Sequence, residues 1–245
     1  MVNPFRRWFG GSQGRGSWAA AAEWAETGGH RFARSRDGSG FVVEPGKGGA
    51  GWRLEWGAPQ RRYIDGPELR LRAEAGPPGD LQMLIATRPL MSSLEQQVFE
   101  EFTESNLTRM DDSTPEEMRW LVLYPKVPRA ELGVLRERFG ALSNLPRAAP
   151  LWLDAPLRQQ LDASSTWLAA DKPLALVLQR SRLTLRCALA EPTPAAMRGA
   201  LGLFGVALAA ARRVGAEVMR GAVDAGRPTA WGPPSALSEG DPNAV

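Results

Sequence analysis

The stretch Leu174-Ala-Leu-Val-Leu-Gln-Arg-Ser-Arg-Leu-Thr-Leu-Arg-Cys-Ala-Leu189 decides the fold. Leu174, Leu176 and Leu178 alternate along one arm, and Leu183, Leu185, Cys187 and Leu189 along the other. The polar break Gln179-Arg180-Ser181-Arg182 lies between them. Period-two alternation around such a break predicts an antiparallel hairpin with one buried face. Just beyond, Thr193-Pro194 sets a capping hydroxyl before a proline, and the apolar run to about Val214 predicts a long helix. Its most apolar part, Ala200 to Ala211, is closed off by Arg198 and Arg212. That length suits a buried helix better than a bilayer span.

The same theme runs upstream. Phe41-Val42-Val43 reads as a strand. Trp52, Leu54 and Trp56 alternate with Arg53 and Glu55; Leu69, Leu71, Ala73 and Ala75 alternate with Glu68, Arg70, Arg72 and Glu74. Leu81 to Ala86 is nearly all apolar and reads as a central strand. Pro45-Gly46, Asp65-Gly66-Pro67 and Pro77-Pro78-Gly79 supply turns between them. After Pro89 the period becomes helical, with Met91, Leu94, Val98 and Phe102 on one face. Ser113-Thr114-Pro115-Glu116-Glu117 is a helix start, but Trp120 to Tyr124 is β-prone and stops at Pro125, so a strand is expected there. Arg129 to Phe139 reads as an amphipathic helix ended by Gly140.

The expected class is therefore α+β: antiparallel strands from both halves of the chain, with helices 89–105, 129–139 and 193–215 packed on one side. The expected segments are an N-terminal piece 1–16, two α+β halves 17–110 and 111–223, and a disordered tail 224–245 with four prolines. At a constant offset of 114, Leu69, Leu71, Arg72, Pro78 and Met83 match Leu183, Leu185, Arg186, Pro192 and Met197, which raises an internal duplication.

Composition restricts the chemistry. In 245 residues there is one histidine, His30, and one cysteine, Cys187, beside nine tryptophans. Most transferable enzyme chemistry uses His, Cys or a metal that they hold. His30 alone makes no conventional zinc site and reads as a loop or strand-edge imidazole. Cys187 lies on the apolar face of its strand and reads as a small core residue. A single cysteine forms no intramolecular disulfide, which fits a reducing, bacterial-type cytoplasm. The chain's pI of about 9.5 comes with a net charge of only +3. Its basic residues are 27 Arg and three Lys, dispersed rather than striped, which does not favour nucleic acid.

Short motifs are refused on context. Gly46-Lys-Gly-Gly-Ala-Gly51 matches G-x-G-x-x-G, but a strand follows it where a pyrophosphate site needs a helix. Gly10-Gly-Ser-Gln-Gly14 matches a nucleophile elbow with too little chain before it and no histidine well after it. Trp52, Trp56, Trp120, Trp152 and Trp167 lie among apolar neighbours and read as core, with interface anchoring as the other use of Trp.

Two segments remain as candidate surfaces. Glu95 to Glu117 holds eight acids and one base. An acidic belt on a basic body suggests a partner-binding surface through Glu100, Glu101, Glu104, Asp111 and Asp112. The second candidate, Phe5, Arg6, Arg7, Trp8 and Phe9, is a short aromatic and basic segment of the kind that contacts an anionic membrane surface. The functional expectation is a non-catalytic cytoplasmic interaction or scaffold protein with a protein partner and no cofactor. The alternatives are a carboxylate-based metal-binding enzyme and a peripheral protein of the inner membrane.

Overall fold

The computed structural model describes residues 18–49, 51–76, 78–104 and 116–221, without the side chains of 101–104 and 116. The first part of the chain runs α1 (Ala19–Thr27), β1 (His30–Arg34), β2 (Phe41–Pro45), β3 (Trp52–Gly57), β4 (Glu68–Glu74), β5 (Met83–Thr87) and α2 (Arg88–Glu104). The second part runs α3 (Glu116–Leu123), α4 (Arg129–Leu132), β6 (Phe139–Ser143), α5 (Ala148–Trp152), α6 (Ala155–Ala163), β7 (Leu174–Gln179), β8 (Arg182–Ala188) and α7 (Pro194–Met219). The eight strands form one sheet in the order β1-β2-β3-β4-β8-β7-β5-β6, and every neighbouring pair is antiparallel. The class is α+β.

Alternation sets what each face carries. Leu54, Leu69, Leu71, Leu183, Leu185, Leu174, Leu176, Met83 and Ile85 point to a first face and join the main core with residues of α1, α5, α6 and α7. Leu84, Ala86, Leu142, Ala175 and Val177 point to the second face, where Leu90, Met91, Leu94 and Val98 of α2 and Met118, Trp120 and Leu121 of α3 cover them. Helices thus lie on both faces, where one side was expected. The reason is that β5, β6 and β7 are apolar on both faces, and a strand with two apolar faces needs two covers. The second cover stops at β7. Beyond it, no helix among the described residues covers the second face of β8, β4, β3 and β2.

Residues 120–123 are helical, not a strand. Met118, Trp120 and Leu121 are buried while Val122 and Leu123 are 54% and 65% exposed, a helical spacing that agrees with the helix start read from the sequence Ser113–Glu117. The helix expected over 129–139 is α4 followed by a 3₁₀ turn (Gly133–Glu137), with Gly133 at φ 58° as the breaker. Phe139–Ser143 then forms β6, which pairs with β5 and is buried throughout. Gly140, read as a helix stop, is a strand residue whose missing Cβ makes room for the Met91 thioether. Helices α5 and α6 were not expected. The start of α6 carries its own signal: Asp154 accepts a hydrogen bond from Leu157 N at 2.9 Å, and Pro156 sits in the first turn.

The long C-terminal helix begins as read, with Thr193 Oγ1 accepting from Ala196 N at 3.2 Å. By length and composition α7 is apolar enough to cross a membrane, and in this fold half of its apolar window is buried in the protein. The internal duplication is not confirmed. The echoing strands β4 and β8 are antiparallel neighbours, with Leu71 opposite Leu185. Met83, however, lies in β5, inserted between β6 and β7, while its counterpart Met197 lies in α7.

The β7–β8 hairpin closes as expected, through a two-residue turn. Arg180 and Ser181 both have positive φ, 49° and 60°, the type I′ geometry that suits Asn-Gly. Left-handed backbone costs an L-residue about 1–2 kcal/mol. The double replacement Arg180→Asn/Ser181→Gly is therefore expected to stabilise the protein by about 1–2 kcal/mol and raise Tm by roughly 2–8 °C in calorimetry. A lower Tm would show that the native side chains earn their place at this turn.

Candidate functional site

The uncovered half of the second face is built from the polar positions of five strands. Arg31 (β1), Glu44 (β2), Arg53 and Glu55 (β3), Glu68, Arg70, Arg72 and Glu74 (β4), and Arg182, Thr184 and Arg186 (β8) all project from it, by the same alternation that buries their neighbours. Registry sets like charges opposite each other: Arg70 faces Arg186, and Arg53 faces Arg72. Directly opposed like charges destabilise a sheet, and here glutamates sit between them.

Glu55 accepts from three guanidiniums: Arg53, Arg70, and Arg72 at 2.9 Å. Burial raises the Glu55 carboxyl pKa, but the hydrogen bonds from Arg70 and Arg53 outweigh it and hold the group below its usual range. Glu44 is lowered by its hydrogen bonds from Arg31 and then Arg53. Glu68 is almost fully buried and accepts from Arg186 at 2.5 Å and from the Gln60 backbone at 2.6 Å, with Arg70 at 3.8 Å. The side chains of Arg70 and Arg186 are 10% and 11% exposed, so this part of the network is largely withdrawn from water.

The step between the roofed and open halves holds a second buried carboxylate. Glu117 of α3 accepts from Arg61 at 3.1 Å and from the Tyr63 hydroxyl at 3.4 Å. Burial lowers the Arg61 pKa, but the charge of Glu117 overcomes this and leaves it raised. The Tyr63 phenol is pushed up by burial and by the same carboxylate.

Along β4, β8 and the end of β7 a groove of about 260 Å³ opens, lined by five arginines (70, 72, 180, 182 and 186), Gln60, Gln179 and Thr184, with no carboxylate among the described residues of its wall. Glu55, Glu68 and Glu74 hold Arg70, Arg72, Arg182 and Arg186. The Nε–H of Arg70 and Oε1 of Gln179 are buried there without hydrogen-bond partners. A larger groove of about 500 Å³ lies between α1 and the start of α7, beside Trp24, Pro194 and Arg198, and gathers no comparable set of charges.

The surfaces singled out from sequence fall elsewhere or outside view. Glu100 is exposed on α2 and accepts from Gln96 at 2.7 Å. Glu101 and Glu104 are in the last turns of α2, with side chains outside the described residues. Asp111, Asp112, Phe5, Arg6, Arg7, Trp8 and Phe9 also lie outside them. Glu95 pairs with Lys126 at 2.6 Å. Glu117, counted in the acidic belt, is turned into the protein with 1% of its side chain exposed, because Arg61 meets it there.

His30 opens the edge strand β1 and sits between Trp24 and Trp52, at 5.8 and 5.0 Å between ring centres. Cys187 is fully buried between β4 and β7, and burial pushes its thiol pKa up. Among the described residues no group of three or more His, Cys, Asp and Glu is placed to hold a metal ion. In the sequence the arginines read as dispersed, and this face is not singled out. The signal that finds it is arginine at alternate positions of both β4 and β8, and it gains meaning only once those strands are neighbours. Comparison with protein-family models, curated proteins and solved structures finds no match to this chain.

Proposed function

We propose that this chain is a non-catalytic recognition protein that binds an acidic partner protein through the arginine-bearing open half of its sheet. The observation that supports this most is a sheet face roofed over β5–β7 and left open over β2, β3, β4 and β8, with arginines outnumbering glutamates where it is open. A face that the described residues leave uncovered and tile with preorganised guanidiniums suits a carboxylate-rich surface, since charge complementarity speeds encounter and sets orientation. The shortage of imidazole and thiol supports recognition over bond-making.

A nucleic-acid reading is less well served. Four glutamates interrupt the face, and β3 alternation sends Trp52 and Trp56 to the opposite side from Arg53, so no aromatic platform accompanies the arginines.

The test is fluorescence anisotropy of a labelled oligoglutamate peptide with the full chain at low and high salt. Binding is expected to weaken with salt. It should also fall at least about tenfold, or about 1.4 kcal/mol, in Arg72→Glu/Arg182→Glu. These arginines are 40% and 55% exposed, so their replacement leaves the fold standing. Equal binding by the variant, or none by the native chain, removes the proposal.

A further inference from the structure

The groove at the step asks for a particular ligand group, and the reasoning here rests on the recognition reading above. A guanidinium has more N–H donors than one carboxylate uses, and Arg and phosphate match in a two-pronged geometry. Glu68 takes one nitrogen of Arg186, Glu74 takes Nε of Arg182, and Glu55 takes one nitrogen of Arg72. Each of these guanidiniums carries further N–H donors, and among the described residues the groove wall holds no carboxylate.

Arg70 adds the sharper observation. It is 8% exposed, it lines the groove, and its Nε–H has no acceptor. A buried donor left without an acceptor destabilises the protein unless something fills the role. A planar carboxylate brings two acceptor oxygens and a single negative charge. A phosphoryl group offers three acceptor oxygens and close to two negative charges, enough to engage several guanidiniums together with the Thr184 hydroxyl. The groove volume of about 260 Å³ admits such a group with the first atoms of what carries it.

We infer that the groove bounded by Arg70, Arg72, Arg182, Thr184 and Arg186 is a phosphoryl-binding site, filled by a phosphorylated side chain of the partner or by free phosphate.

Titration calorimetry of the full chain with inorganic phosphate at low salt is the first arm. Saturable heat is expected, with affinity reduced at least about tenfold in Arg72→Gln/Arg182→Gln. It should be unchanged in Arg129→Gln/Arg136→Gln, which removes two exposed arginines of α4 and the following turn. The second arm compares an acidic peptide bearing one phosphoserine with the same peptide bearing serine. A phosphopeptide at least about tenfold tighter identifies the partner as the source. Phosphate binding without that preference identifies the free ion, and both results support the site. No phosphate heat, or equal heat in the Arg72/Arg182 variant, overturns it. Should oligoglutamate still bind in that case, the recognition reading stands and only the phosphoryl site falls.

Discussion

Glu68→Ala is expected to lower folding free energy by about 3–5 kcal/mol, read as a drop in the urea midpoint at unchanged slope. The side chain is 1% exposed, accepts from Arg186 and from the Gln60 backbone, and lies beside Arg70. Arg70 and Arg186 face each other directly across the β4–β8 pairing. Removing the carboxylate leaves two largely buried guanidiniums opposed with nothing between them, which is the expensive way to break a buried pair. The loop carrying Gln60 loses its anchor as well. Glu68→Gln keeps the shape and one acceptor but not the charge, so it should fall between the native chain and Glu68→Ala. In a double-mutant cycle, Glu68→Ala/Arg186→Ala should recover part of the loss, with a coupling of about 0.5–3 kcal/mol. A loss below about 1 kcal/mol for Glu68→Ala would place this carboxylate in water, contrary to the buried network described above.

Trp152→Ala should cost a similar amount, about 3–5 kcal/mol, or roughly 6–20 °C in Tm. Trp152 is fully buried on α5, and its Nε1–H donates to the Ala207 carbonyl of α7 at 2.9 Å. It fills the space between the helix layer and the sheet, where Leu157, Leu161, Phe204 and Ala207 join the same core. Truncation opens a cavity that neighbouring helices fill only in part. Trp152→Phe keeps most of the volume and loses the hydrogen bond, so about 1 kcal/mol beyond a small packing term is expected. Equal losses in the Phe and Ala variants would mean that the hydrogen bond, not the volume, holds α5 in place.

The strands that alternate were readable: β3, β4 and β8 each have one apolar and one polar face, and β7 carries leucine at every second position although both its faces are apolar. So was α7, from its Thr193-Pro194 start. Trp120–Leu123 was expected as a strand and Phe139–Ser143 was not read as one, for a single reason. Both are short and nearly all apolar, and such a run carries no period to read. Which it becomes depends on what it packs against: α3 lies on the sheet as a cover, and Phe139–Ser143 pairs with β5 inside it. The α5 and α6 segments are short, five and nine residues, although the Asp154 cap and the Leu157/Leu161 spacing were there to be noticed.

The candidate site was legible residue by residue but not as a site. Arg70 and Arg72 lie more than a hundred positions from Arg182 and Arg186, and nothing local says that β4 and β8 are neighbours. Nor does local sequence say that α2 and α3 roof only part of the second face. The acidic belt drew attention because its charges are close along the chain, yet Glu117 is buried against Arg61 and Glu95 is tied to Lys126.

Periodicity and composition alone determined the α+β class, the antiparallel pairing within the final hairpin and a side-chain inventory poor in imidazole and thiol, because each is a property of neighbours along the chain. The tertiary structure decided the strand order, the half-covered second face and the gathering of guanidiniums around Glu55 and Glu68. Those follow from which apolar surfaces found each other across long separations, and a strand's own residues do not record their eventual partner.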